Sequence, residues 1–254
     1  MEYYRLALYL IFGTLPSLIW LWYYLRKDLH PEPKKMIIKV FLAGALATIP
    51  ALFFQIVLSW AFYHLQNSAL DYAPAMAAYL PTINGLVKWF LIIALTEELF
   101  KYLAVRLLVF KSGELDEPLD IMLYMVVGAL GFAALENTLY LFSPIGTNGV
   151  GMVVAATVGM SFLRFIGATF LHTLCAALVG YCMALSSLRT QKRWRLTILG
   201  LVVAVGLHGL YDFSIMNLSY PLNVAIPVLV IFGLAMFMVW DFDGIKKIKS
   251  ICKI

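Results

Sequence analysis

Apolar runs of eighteen residues or more recur along the whole of this 254-residue chain. A bilayer offers no water to backbone N–H and C=O groups, so runs of this length must close their hydrogen bonds internally, as helices. Composition agrees: 63% of the residues are hydrophobic and 13% are charged, which leaves no room for a separate soluble domain. The chain reads as all-α, a single integral-membrane domain over residues 1–254 with about seven transmembrane helices. The net charge of +5 does not point to nucleic acid. The basic residues sit in short loops between spans, which is the pattern that orients a membrane protein.

The runs predict spans at 3–25, 36–63, 86–110, 121–142, 161–185, 196–216 and 222–240. Pro16 is expected to kink the first. The apolar stretch 152–188 is too long for one ordinary span, so 152–160 reads as a short interfacial or re-entrant piece ahead of the fifth. The loops after the first and fifth spans and the tail carrying Lys246, Lys247 and Lys249 are basic. They belong in the cytoplasm, which puts the N-terminus outside and the C-terminus inside. Asp116 is the expected N-cap of the fourth span, with Glu117 and Pro118 in its first turn. Cys175, Cys182 and Cys252 show no C-x-x-C spacing and read as packing residues, not as a disulfide framework. The start of the chain lacks the basic region and cleavage site of a removable leader, so the first run reads as retained.

Against this background, charge inside a span carries information. The third predicted span contains Thr96-Glu97-Glu98-Leu99-Phe100-Lys101. Each such charge costs roughly 2.5–3.5 kcal/mol at the middle of a membrane helix. Either acid can pair with Lys101 across one turn, which leaves the other free to take a proton. The fourth span adds Glu136 and Asn137, the fifth Arg164 and His172, and the sixth His208 and Asp212. His208 and Asp212 lie four apart on one helix face. That spacing suits a histidine oriented by a carboxylate, or two ligands to one metal.

Taken singly, each group has a plain structural reading. One of the two glutamates with Lys101 is an ion pair, His172 bonds a carbonyl, Glu136 with Asn137 joins two helices, Arg164 snorkels to the outer interface, and His208 with Asp212 is a self-satisfied pair. Taken together, costly groups on four spans are most simply solvated by one shared wet cavity. Helix depth places the set between the midplane and the outer face. Three chemistries fit it. A glutamate activates water while His or Asn groups stabilise an oxyanion. Alternatively, Glu136, His172 and His208, with a further carboxylate, hold a zinc ion. The third is a proton relay for coupled transport. Two acids on successive helix positions do not readily share one coordination shell, which favours the metal-free version. No cofactor is assigned, and zinc stays open.

These residues resemble the PrsW family of bacterial intramembrane proteases, part of a superfamily with the CAAX-processing proteases. The resemblance rests on Pro31-Glu32-Pro33, Glu97-Glu98-x-x-Lys101, Asp120, and Gly131-Phe132-Ala133-x-Leu135-Glu136-Asn137. It continues through Arg164, His172 and Gly180 to His208-Gly209-x-Tyr211-Asp212-Phe213. It departs at Ile121, where the family has glycine, and in a longer loop before Arg164. The resemblance implies a peptidase in the bacterial cytoplasmic membrane that makes the site-1 cut in a single-span anti-sigma factor, releasing an extracytoplasmic-function sigma factor. It implies a catalytic set of Glu97, Glu98, Glu136, His172, His208 and Asp212, supported by Lys101, Asn137, Arg164 and Asp120, with Glu97 or Glu98 activating water. A coupled transporter and a non-enzymatic partner-binding relative are the alternatives. The near absence of polar residues in the cytoplasmic half of the spans speaks against the first. The intact set of acids and histidines speaks against the second.

Overall fold

The computed structural model describes residues 2–26, 31–72, 78–110, 112, 115, 117–142, 150–188 and 193–246. The expected Asp116 cap, Cys252, the tail beyond residue 246, most of the 143–151 loop and part of both basic loops lie outside them. Every element among the described residues is helical. In order they are α1 (Glu2–Leu25), α2 (Lys34–Tyr72), α3 (Leu80–Leu86), a π-helical stretch (Val87–Ala94), α4 (Leu95–Val109) and α5 (Pro118–Phe142). Then follow α6 (Val150–Ile166), α7 (Ala168–Leu188), α8 (Arg193–Asn217) and α9 (Leu222–Lys246). Six stretches are long and apolar enough to cross a bilayer: α1, α2, α5, α6 with α7, α8 and α9. The protein is a polytopic membrane bundle.

The predicted third span is built from three pieces in direct succession, α3, the π-helical stretch and α4. Helix begins at Leu80, earlier than residue 86, because Pro81 supplies a favourable first turn. The 39-residue α2 outruns its predicted end at residue 63, because nothing in 64–72 breaks a helix. The long apolar stretch does not divide at residue 160. It bends at Gly167, where the ladder is kept: Gly167 N–H donates to the Leu163 carbonyl and Leu171 N–H to the Gly167 carbonyl, both at 2.9 Å. A Cβ at this position would lie 2.5 Å from the Tyr211 hydroxyl, so the bend follows the space that α8 takes.

The core is organised around α5. Within its apolar window 83% of residues are buried, against 17–33% in the other five stretches. It is enclosed by α1, α2, α4 and α7. Glycines let α2 come close: a Cβ on Gly44 would meet the Gly128 carbonyl oxygen at 1.9 Å, and one on Gly131 the Phe41 carbonyl oxygen at 1.9 Å. Without a hydrophobic drive between helices in lipid, such close backbone approach is a main source of association. Cys175 lies buried in this core, and Cys182 packs toward Gly200.

Candidate active site

Central α5 presents Glu136 and Asn137 one helix turn and a half before its end, α4 presents Glu97, Glu98 and Lys101, α7 presents His172, and α8 presents His208 and Asp212. The structure joins them into one network. Lys101 Nζ donates to Glu98 Oε1 at 2.6 Å and to His172 Nδ1 at 2.8 Å. An ammonium can only donate, so Nδ1 accepts and His172 Nε2 carries the proton toward Glu136 Oε2, 2.9 Å away. His208 Nδ1 lies 2.8 Å from Glu98 Oε1. A carboxylate accepts, so Nδ1 donates and His208 Nε2 turns to Asp212 Oδ2 at 3.3 Å and Glu97 Oε2 at 3.9 Å. The two imidazole rings meet edge to face, 5.1 Å between centroids.

The adjacent acids therefore have different surroundings. Glu98 is fully buried; its Oε1 is shared by Lys101 and His208, and its Oε2, like that of Glu97, has no hydrogen-bond partner. Glu97 has one hydrogen bond, from Gln55 Nε2 on α2 to Oε1 at 3.1 Å, while Oε2 is buried without a hydrogen-bond partner. One ligand atom each from Glu97, His172 and His208 lie within 4.8 Å of one another. The set Glu136, His172 and His208 named from sequence shares both histidines with this trio. Glu136 itself lies outward of His172, where Arg164 Nη2 donates to its Oε2 at 2.8 Å.

Arg164 does not snorkel. Its Nε donates to Asn137 Oδ1, its guanidinium stacks 3.9 Å from the Tyr140 ring centroid, and Asn137 Nδ2 donates to Thr169 at 2.9 Å. Side-chain exposure rises from 0% at Lys101 and Glu98 to 11% at Arg164, 15% at Glu136 and 23% at Asp212. Access is therefore from the end where α5 and α8 finish, the end that the expected topology puts outside. Asp120 stands apart. It sits in the first turn of α5, roughly 24 Å along the axis from Glu136, and its Oδ2 accepts the Glu117 N–H at 2.7 Å.

Two contributors are absent from the expected set. Thr169 anchors Asn137, and Gln55 holds Glu97. Gln55 has a sequence signal: it is the one strong hydrogen-bonding side chain in residues 49–58, and such a residue within a span marks a functional site by default. Thr169 has none, since threonine is common in membrane helices.

A family model described as PrsW family intramembrane metalloprotease matches residues 32–240. The chain belongs to this family. Among curated relatives, the protease PrsW of Oceanobacillus iheyensis is 28% identical over 219 residues, covering 86% of this chain and 88% of the relative. That of Geobacillus kaustophilus is 29% identical over 205 residues, covering 80% and 78%, and that of Bacillus subtilis 26% over 240, covering 94% and 93%. No solved structure matches. Membership of the PrsW family makes the protein a membrane-embedded peptidase, and the matched region contains every residue of the network.

Proposed function

We propose that this PrsW-family protein makes the site-1 cut in a single-span anti-sigma factor of the bacterial cytoplasmic membrane, using Glu97, His172 and His208 to hold a divalent metal ion. The observation that carries this reading is the convergence of those three donors. Charge supports it. With the carboxylates ionised and both imidazoles neutral, as ligation requires, Glu97, Glu98, Glu136 and Asp212 are balanced only by Lys101 and Arg164. Two negative charges are left over in a buried site, where each uncompensated ion costs several kcal/mol, and a divalent cation balances that deficit. With His208 neutral and protonated at Nδ1, its Nε2 lone pair would be available 3.9 Å from the Glu97 Oε2 that lacks a hydrogen bond.

The ion would supply Lewis acidity, lowering the pKa of a water and polarising the scissile carbonyl. The chain's own residues do the rest. Glu98 orients His208 and Glu136 orients His172, the carboxylate–histidine arrangement that fixes a ligating tautomer. For His172 to ligate through Nδ1, Lys101 turns from it to Glu98 alone. Asp212, the most exposed carboxylate, accepts a proton at Oδ2 as water adds to the carbonyl carbon. It returns the proton to the amide nitrogen as the C–N bond breaks, leaving a carboxylic acid and an amine. On this reading the proton acceptor expected at Glu97 or Glu98 moves to Asp212, because Glu98 is neutralised and Glu97 is held among the ligand atoms.

The test is co-reconstitution with single-span anti-sigma factors, scoring a shortened product, together with metal analysis of purified protein. We expect about one zinc or similar divalent ion per chain, cleavage that stops with chelator, and loss of both in Glu97→Gln. Undiminished cleavage by metal-stripped protein would remove the metal reading, and undiminished cleavage by Glu97→Gln would remove the site.

A further inference from the structure

We infer that Gln55 is a positioning residue for the reaction: from α2 it sets the rotation of the Glu97 carboxylate and so the direction in which Oε2 faces. The last torsion of a glutamate is broad and roughly two-fold, so the helix and its rotamers leave the plane of the carboxylate undetermined. In this site one hydrogen bond determines it, from Gln55 Nε2 to Oε1 at 3.1 Å. The other oxygen is thereby left buried, without a hydrogen bond, and 3.9 Å from His208 Nε2.

The position of Gln55 argues that the contact is built for Glu97. Residues 49–58 are otherwise Ile, Pro, Ala, Leu, Phe and Val. Leu52, Phe53, Phe54 and Ile56 around it are 44–62% exposed on the lipid side of α2. An amide there costs free energy unless it is bonded, and its named partner is Glu97. Other α2 contacts to the bundle are packing contacts: Met36, Ile37 and Val40 in the core, Gly44 against Gly128, and the Thr48 hydroxyl donating to the Phe132 carbonyl at 3.2 Å. Those join helices and touch no site residue.

The inference rests on the trio reading above, and one experiment separates the two. Full-length wild type, Gln55→Met and Thr48→Val are purified in detergent. Zinc affinity is measured by competition with a chromophoric chelator, and kcat and KM on the single-span reporter that wild type cleaves. Loss of a hydrogen bond to a ligating group weakens metal affinity about 10- to 100-fold. We expect that loss in Gln55→Met, with a matching fall in kcat and unchanged KM. Thr48→Val, a helix-packing change, keeps wild-type zinc affinity and kcat at a lowered thermal midpoint. Wild-type protein that takes up no zinc refutes the trio reading. Zinc-binding wild type with equal affinity and kcat in Gln55→Met refutes the role of Gln55. Should Met at this position prevent folding, Gln55→Asn keeps the amide and shortens its reach. The same loss is then expected, and wild-type affinity overturns the inference.

Discussion

The two ends of α5 each carry an acid, and the two acids have different surroundings. At the start, Asp120 accepts the Glu117 N–H and closes the first turn. Nearby, Tyr124 donates to Glu32 of the Pro-Glu-Pro segment at 2.5 Å. A cavity of about 700 Å³ beside it is lined mainly by apolar and aromatic side chains of α1, α5, α6, α7 and α9, among them Trp20, Phe165 and Met238. Among the described residues no histidine borders that end. Toward the other end, Glu136 meets an imidazole from α7 and a guanidinium from α6, within a network whose carboxylates outnumber its cations. A buried acid that caps its own helix has a local structural role. An acid that meets an imidazole from α7 and a guanidinium from α6 is, on the proposed reading, part of the machinery.

Four substitutions sharpen or break that contrast. Glu97→Gln removes a donor of the trio and is expected to abolish cleavage and divalent-ion uptake together, with the protein still folded and inserted. Asp212→Asn is expected to lower kcat about 10²- to 10⁴-fold, the usual worth of a positioned acid–base group, with the metal retained; metal analysis beside single-turnover cleavage separates it from Glu97. Arg164→Leu leaves the Glu136 carboxylate partnered only by His172. Breaking a largely buried pair costs about 3–5 kcal/mol, and the 15% exposure of Glu136 places the effect at the low end, seen as a lowered thermal midpoint in detergent. Asp120→Ala removes the bond to the Glu117 N–H, worth at least about 1 kcal/mol, and leaves kcat unchanged. A loss of turnover there as large as for Asp212→Asn would end the distinction between the two ends.

Most of the architecture was legible because lipid makes backbone and side-chain rules strict. Apolar runs mark the helices, and ionisable residues inside them mark the gathering point of α4, α5, α7 and α8. Pairings were harder to read. Helical spacing allowed Lys101 to bind either glutamate, and only the approach of His208 and Gln55 from other helices separates Glu98 from Glu97. Arg164 was ambiguous for the same reason: snorkelling and inward pairing differ by a rotation of α6 that sequence does not state. The Gly167 break was invisible because the close neighbour that requires glycine there, the Tyr211 hydroxyl, lies more than forty positions downstream.

The wide turn at Val87–Ala94, closed by the Leu95 N–H reaching back to the Phe90 carbonyl, holds one more residue than an ordinary turn. Losing a single residue there would tighten the turn to an ordinary α-helical one while the helix upstream kept nearly the same face toward α4. Trp89, bonded to Asn217 at 2.7 Å, sits at this adjustable point, ahead of the acids of α4. The segment can thus take up or shed a residue over evolutionary time without resetting the chemistry beneath.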